Sequence, residues 1–258
     1  MITMQKYFVE PAQFGAEEVI ITGQDAHHLV RVMRSKPGAK FIVSDGEARE
    51  ALVELVEANS EQVIARIVEH RETKAEAACQ VTIAQSLPKG DKMELIIQKC
   101  TEIGAVSFIP FQSDRTVVQY DSKKEAKRLE RWSKIAKEAA EQSHRNRVPD
   151  MQPSMSVKQL VQAMEQYDLV LLCYEDERGT QIRDVVQPFA TKVANEVDKG
   201  EVLIIVGPEG GFTAQEVETF VNAGAVSIGL GRRILRAETA GMLALTCVLY
   251  ETGEMGGV

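Results

Sequence analysis

Glu201 to Ala240 reads EVLIIVGPEGGFTAQEVETFVNAGAVSIGLGRRILRAETA. Val202–Val206 is an unbroken apolar run led by β-branched residues, the pattern of a strand covered on both faces. It stops in Gly207-Pro208-Glu209-Gly210-Gly211, which only a tight, irregular loop accommodates. Thr213 with Glu216 matches a capping box, so a helix starts there with Val217, Phe220 and Val221 on one face, and Gly224 ends it. Val226–Leu230 reads as a second strand. Gly231 opens a loop carrying Arg232, Arg233 and Arg236, and Ala237–Tyr250 is a further apolar helix. Strand, glycine loop, helix, strand, basic loop, helix is the grammar of a parallel α/β sheet. Ligands of such sheets sit at the carboxyl ends of the strands, where both loops fall.

The loops exclude two common readings. A phosphate-cradling P-loop needs Gly-Lys-Ser/Thr after its glycines, and Gly211 is followed by Phe212. A dinucleotide fingerprint needs glycine at the third position, where this loop has Glu209. That carboxylate argues against a phosphate pressed onto the backbone. A nucleoside held by main-chain amides and carbonyls fits better.

GPEGGF followed by LGRRILRAETA resembles the ribosomal RNA small-subunit uridine-N3 methyltransferases of the SPOUT superfamily, and the resemblance covers most of the chain. Gln98–Glu102 (QKCTE) and Glu138–Arg145 (EAAEQSHR) match the same family. One departure is Arg232, where proline is as common. The resemblance implies a parallel α/β domain with a deep C-terminal trefoil knot over residues 76–258, which binds S-adenosylmethionine. It implies a small PUA-like, RNA-binding β-barrel over residues 1–72, a homodimer, and ribosomal RNA or the small ribosomal subunit as partner. In the knot, the chain from about Gly229 onward threads through a loop near Gly207–Phe212. Carried onto this chain, cofactor contacts fall on Leu172, Gly207, Glu209, Gly211, Leu230, Gly231, Ile234, Leu235 and Thr239.

Composition agrees with this class. At 258 residues a single core stops growing, so two domains are expected. No segment approaches the ~18 apolar residues of a membrane span. The start, Met1 to Tyr7, lacks a signal-peptide core, so a cytoplasmic protein is expected. Cys79, Cys100, Cys173 and Cys247 are far apart in apolar patterns, which reads as buried reduced thiols and no metal site. The net charge of −8 argues weakly against a nucleic-acid partner. Its distribution weakens that objection: residues 76–150 hold 13 Lys/Arg against 11 Asp/Glu, and residues 151–258 hold 8 against 15.

Taken in order, Lys6–Val9, Glu18–Ile21, Lys40–Ser44, Ala51–Glu57 and Gln62–Val68 read as strands, with a hairpin signal at Asp45-Gly46. A helix intervenes, capped by Asp25 and apolar at Leu29, Val32 and Met33; Arg31 and Arg34 on or near it are candidates for RNA contact. Arg71–Glu76 is a polar linker. Val81–Ser86, Asp91–Ile103 and Val106–Phe111 make a βαβ unit. Ser122 with Glu125 opens a long, mostly basic helix to about Gln142. A charged helix face is usually just solvated. Arg145 and Arg147 stand apart, since no acid lies between Glu141 and Asp150, and they are candidates for phosphate contact. Val157–Met164 is a short helix and Asp168–Cys173 a strand that ends in the acidic Tyr174–Glu177. Ile182–Phe189 is a helix interrupted by Pro188.

Methyl transfer is an in-line displacement, so positioning carries most of the catalysis. Uridine N3 is a poor nucleophile until its proton leaves, and charge then spreads onto the flanking oxygens. A donor is needed there. Arg236 is the candidate, with Glu238 as its orienter or, less simply, a base; the bland reading makes the two a salt bridge at a helix start. The last helix is apolar almost all round, which points to a symmetric dimer interface. Two other classes remain open: a non-catalytic RNA-binding protein that retains the fold, and a nucleotide-dependent enzyme, disfavoured by the missing P-loop lysine.

Overall fold

The alternating segments of the first 71 residues become an open sheet. The computed structural model describes residues 4–59, 61–118, 120–194, 196 and 200–257; Met1–Thr3, the first residues of the N-terminal stretch read above, lie outside it. Strands β1 (Lys6–Phe8), β2 (Glu18–Thr22), β3 (Lys40–Ser44), β4 (Glu50–Ala58) and β5 (Gln62–Arg71) pair in the order β1-β3-β4-β5-β2. β1 and β3 are parallel and the other pairs antiparallel. Among the described residues β1 and β2 are edges that do not pair, so the expected barrel is a half-barrel. Its inner face buries Tyr7, Val19, Ile21, Phe41, Val53, Leu55 and Val63 around Leu29. Leu29 lies on the π-helical turn His28–Val32 that continues α1 (Gly23–His27). Thr22, not Asp25, occupies the N-cap of α1. The Asp45-Gly46 signal marks a wider loop than a two-residue hairpin. Gly46 has φ 76°, and Asp45 Oδ1 accepts from the amides of Glu47, Ala48 and Arg49 at 2.9–3.0 Å.

The compact unit built on this sheet comprises residues 1–76 together with 140–148. The segment Ala140–Val148, assigned to the second domain from sequence, therefore belongs to the first. The cause is polar. Asn146 Nδ2 donates to Glu50 at 2.6 Å, its Oδ1 accepts from the Ala75 amide at 2.9 Å, and Glu141 accepts from the Phe8 amide at 3.2 Å.

The second unit, residues 77–139 and 149–258, holds a parallel sheet. Its elements in order are β6 (Gln80–Ser86), α2 (Lys92–Ile103), β7 (Ser107–Gln112), α3 (Ser122–Gln142), β8 (Asp150–Met151), β9 (Met155–Ser156), α4 (Val157–Ala163), β10 (Leu169–Cys173), α5 (Ile182–Val193), β11 (Glu201–Val206), α6 (Ala214–Asn222), β12 (Val226–Ile228) and α7 (Ala237–Glu251). The last residues of α3 fall in the first unit. Strand order is β12-β10-β11-β6-β7-β8, with β9 also on β7, and every pairing is parallel. β11 is interior to the sheet, which is why its run is apolar on both faces. Leu203 and Ile205 face a core with Leu172, Phe111, Phe212 and Phe220. Val206 faces α7, where the bare Cα of Gly241 lets the helix pack on Val206 and Ile83.

Helix ends follow local chemistry. Thr213 and Glu216 form the expected capping box. At α3 the cap is Asp121, whose Oδ1 accepts from the Lys124 amide at 2.8 Å; Glu125 instead accepts from the Ser154 amide at 2.8 Å. Pro188 does not interrupt α5, which runs unbroken through it to Val193. No helix among the described residues is long and apolar enough to cross a membrane.

Candidate functional site

β10, β11 and β12 are adjacent and end together, with Cys173 in register with both Val206 and Ile228. The chain leaving each strand turns across the same edge. Tyr174, Glu175 and Arg178, the Gly207–Gly211 loop, and the stretch from Gly229 to Arg236 surround a cavity of about 290 Å³, closed by Lys92, Ala237 and Ala240. The glycine loop is held rigidly. Gln85, fully buried at the end of β6, donates from Nε2 to the Gly207 carbonyl at 3.2 Å. Arg115 donates to the Gly210 carbonyl at 2.7 Å. Phe212 is buried between Phe111 and Phe220, with ring centroids at 6.4 and 5.8 Å. A Cβ on Gly207 would lie 3.1–3.3 Å from the Phe212 ring, so any larger residue would have to push that buried ring aside for the loop to fold back onto it. Gly211, at φ 67°, leaves room for the Glu175 carboxylate, which a Cβ would strike.

The basic loop is arranged oppositely. Among the described residues no amide from Leu230 to Arg236 donates to a protein acceptor. Ile234 is 84% exposed. Arg233 and Arg236 line the cavity, and their guanidinium groups enter no ion pair among the described residues. Unused amides and carbonyls beside apolar Val206, Leu230 and Leu235 suit a flat, uncharged heteroaromatic group such as adenine. The donor set fits an adenosyl cofactor.

One charged cluster spans three elements. Lys92 Nζ, in the first turn of α2, lies 2.9 Å from Glu209 Oε1 and 3.5 Å from Glu238 Oε2. Glu209 also accepts from the Lys89 amide at 3.1 Å. The hydrogen bond to Glu209 outweighs burial and raises the Lys92 pKa. Burial pushes the Glu209 carboxyl up, but the bonds from Lys92 and Lys89 prevail and hold it below the usual carboxylate range.

The structure sorts the expected site residues. Gly207, Glu209, Gly211, Leu230, Gly231, Ile234, Leu235 and Arg236 all line the cavity. Leu172 does not: it points into the core with Leu203 and Phe212, and its neighbour Cys173 faces the cavity, as strand alternation requires. Thr239 is also absent from the wall, because Ala237 and Ala240 share the inward face of α7 and Thr239 lies off it. Glu238 is engaged by Lys92 and not by Arg236, so its assignment as the orienter of Arg236 is corrected. Lys92, Tyr174, Glu175 and Arg178 were missed. The acidic turn after β10 was visible in the sequence, and the rule that ligands gather at strand carboxyl ends points to it. Nothing in the sequence joins Lys92 to Glu209 and Glu238.

Of the expected RNA-binding residues, Arg31 and Arg34 are exposed and Arg147 is half-buried. Arg145 is corrected. It is 4% exposed, and its guanidinium is spent on Glu76, with Nη2 at 2.5 Å and Nε at 3.2 Å.

Comparison with known proteins bears on both units. A family model described as an RNA methyltransferase domain matches residues 75–249, and one described as an RNA methyltransferase PUA domain matches residues 21–68. A Bacillus subtilis protein named ribosomal RNA small subunit methyltransferase E is 42% identical over 257 residues, covering 98% of this chain and 99% of its own. Its Mycobacterium bovis namesake is 30% identical over 245 residues, covering 94% and 90%. The crystal structure of the Neisseria gonorrhoeae ribosomal RNA small subunit methyltransferase E bound to S-adenosyl methionine superposes with a TM-score of 0.82 at 28% identity, covering 96% and 97%.

Proposed function

We infer the function from one premise: this chain belongs to the RNA methyltransferase family whose full-length relatives are the ribosomal RNA small subunit methyltransferases E. It is an S-adenosylmethionine-dependent methyltransferase of small-subunit ribosomal RNA. We propose further that the atom methylated is N3 of a uridine, and that the cavity at the ends of β10, β11 and β12 is where the chemistry occurs. The observation that carries this is the pairing, in one loop, of unused amides with an unpaired Arg236.

In this reading the amides and carbonyls of Gly207, Leu230, Gly231, Ile234 and Leu235 hold the adenosyl group. The bound cofactor supplies an electrophilic methyl group on a sulfonium. Arg236 donates to a uracil oxygen beside N3, where charge collects as N3 gives its proton to solvent and takes the methyl group, the sulfur leaving as a neutral thioether. Arg31, Arg34 and Arg147 contact RNA phosphates. The protein acts in the cytoplasm as a homodimer through α7, whose Leu243 (37%) and Tyr250 (62%) are exposed. The C-terminal segment passes through a trefoil knot. Support for that is the family resemblance and the seating of residues 229–236 against the Gly207 loop. A crystal structure with that segment unthreaded would remove the knot.

Arg236→Ala tests the mechanism. Single-turnover kinetics at saturating cofactor should show a loss of roughly a hundredfold or more, the scale of removing one preorganised donor to a developing oxyanion. Cofactor affinity by calorimetry should hardly move, and Arg236→Lys should rescue only in part. Near-normal saturated turnover combined with weak cofactor binding would take Arg236 out of the chemistry. Mass spectrometry of ribosomal RNA from cells lacking the gene identifies the nucleotide.

A further inference from the structure

Arg236 and Glu238 are two residues apart at the start of α7, an arrangement that invites a local salt bridge. It does not form. Arg236 occupies the N-cap with extended backbone (φ −69°, ψ 154°) and makes no side-chain cap. Glu238 points the other way, to Lys92. Its Oε2 is buried and accepts no hydrogen bond among the described residues, so the Lys92 charge at 3.5 Å is what compensates it there. A carboxylate so placed cannot remain uncompensated cheaply. Were Lys92 neutral, the cation nearest in sequence would be Arg236.

We propose that Lys92 is a positioning residue for methyl transfer: by holding Glu209 and Glu238 it keeps Glu238 from capturing Arg236 and leaves that guanidinium for the substrate. Three features support this. Among the described residues, Lys92 alone joins the α2 start, the glycine loop and the first turn of α7 through ion pairs. Its second anchor, Glu209, is itself fixed by the Lys89 amide, so the ammonium is held from two sides rather than ranging freely. The helix N-terminus repels a cation and attracts an anion, so Glu238 is stable where it is and Arg236 is bound by nothing local. The proposal rests on Arg236 acting in the transition state.

A double-mutant cycle tests it, using the full-length protein, saturating S-adenosylmethionine and small ribosomal subunits from cells lacking the gene. Lys92→Met should lower saturated turnover by about tenfold, the scale of coupling between contacting residues. Adding Glu238→Gln to Lys92→Met should restore most of that loss, since the competing carboxylate is gone. Lys92→Arg, which keeps the charge, should recover most of what Lys92→Met loses, and melting curves confirm that each variant folds. In an Arg236→Ala background, Lys92→Met should change turnover less than about twofold, because both changes act on one group. If Lys92 only staples three elements together, Glu238→Gln rescues nothing and the double mutant is as slow as Lys92→Met or slower. That result, or a Lys92→Met protein with parental turnover, overturns the proposal. Normal turnover of Arg236→Ala alone would overturn the reading of Arg236, and this inference with it.

Discussion

Arg145→Ala separates a folding role from an RNA-binding one. The guanidinium is 4% exposed and holds both oxygens of Glu76, at 2.5 and 3.2 Å. Deleting one partner of a buried pair costs about 3–5 kcal/mol, because the other charge is left without compensation. Here the cost falls at or below the lower end, about 2–3 kcal/mol. The Glu76 side chain is 25% exposed, and its Oε1 keeps the amides of Asn146 at 2.8 Å and Arg147 at 3.1 Å. Urea denaturation should show a lower midpoint at unchanged slope. Well below that midpoint, the salt dependence of RNA binding should match the parent, since no phosphate contact has been removed. A phosphate contact behaves inversely: stability holds, and the slope of log affinity against log salt shallows by roughly one. A variant with the parental midpoint and a shallower slope would refute the buried-pair argument. Arg147→Ala, by contrast, should shallow the slope by roughly one.

The thiols make a pH prediction. Burial pushes Cys100 and Cys173 from 9.0 up to about 12. Above pH 9 the unfolded chain releases those protons and the folded one retains them, so stability falls with pH between about 9 and 12, each thiol contributing roughly 1.4 kcal/mol per pH unit. Cys100→Ala should remove one share from that slope in denaturation curves at pH 9–11; an identical slope would show that Cys100 ionises normally. Light scattering at micromolar concentration should give a dimer, and Tyr250→Glu on the exposed side of α7 should shift it toward monomer. A parental monomer would remove the interface from the reading.

Much of the second unit was legible because its signals are local. The Thr213–Glu216 box, the β11 run and the glycine that stops it each need only a few neighbouring residues, and all three stand where expected. Phase was not legible. Leu169–Cys173 is apolar throughout because both faces of the strand are covered, so nothing in LVLLC tells that Cys173 and not Leu172 meets the cavity. Pro188 failed as a stop for a related reason. A helix whose buried face carries Val186, Phe189, Ala190 and Val193 gains more from packing than one missing amide costs it.

Charges were the least legible, since their partners are set by the fold and not by the neighbourhood. Arg145 stands in a stretch without acids, which made it look free for phosphate; its partner Glu76 lies 69 residues earlier. Arg236 and Glu238 look like a natural pair along the chain, yet Glu238 is taken by a lysine at the start of another helix. In both places the local reading fails in the same direction, by pairing or freeing a charge before the interior has claimed it. Desolvation explains the bias. A half-buried carboxylate such as Glu238 costs most when left alone, so it goes to the cation the fold brings to it, while exposed Arg236 loses little in water by waiting. At this cavity that asymmetry leaves Arg236 without an ion pair among the described residues, with the ion pairs of Lys92 built one layer behind it.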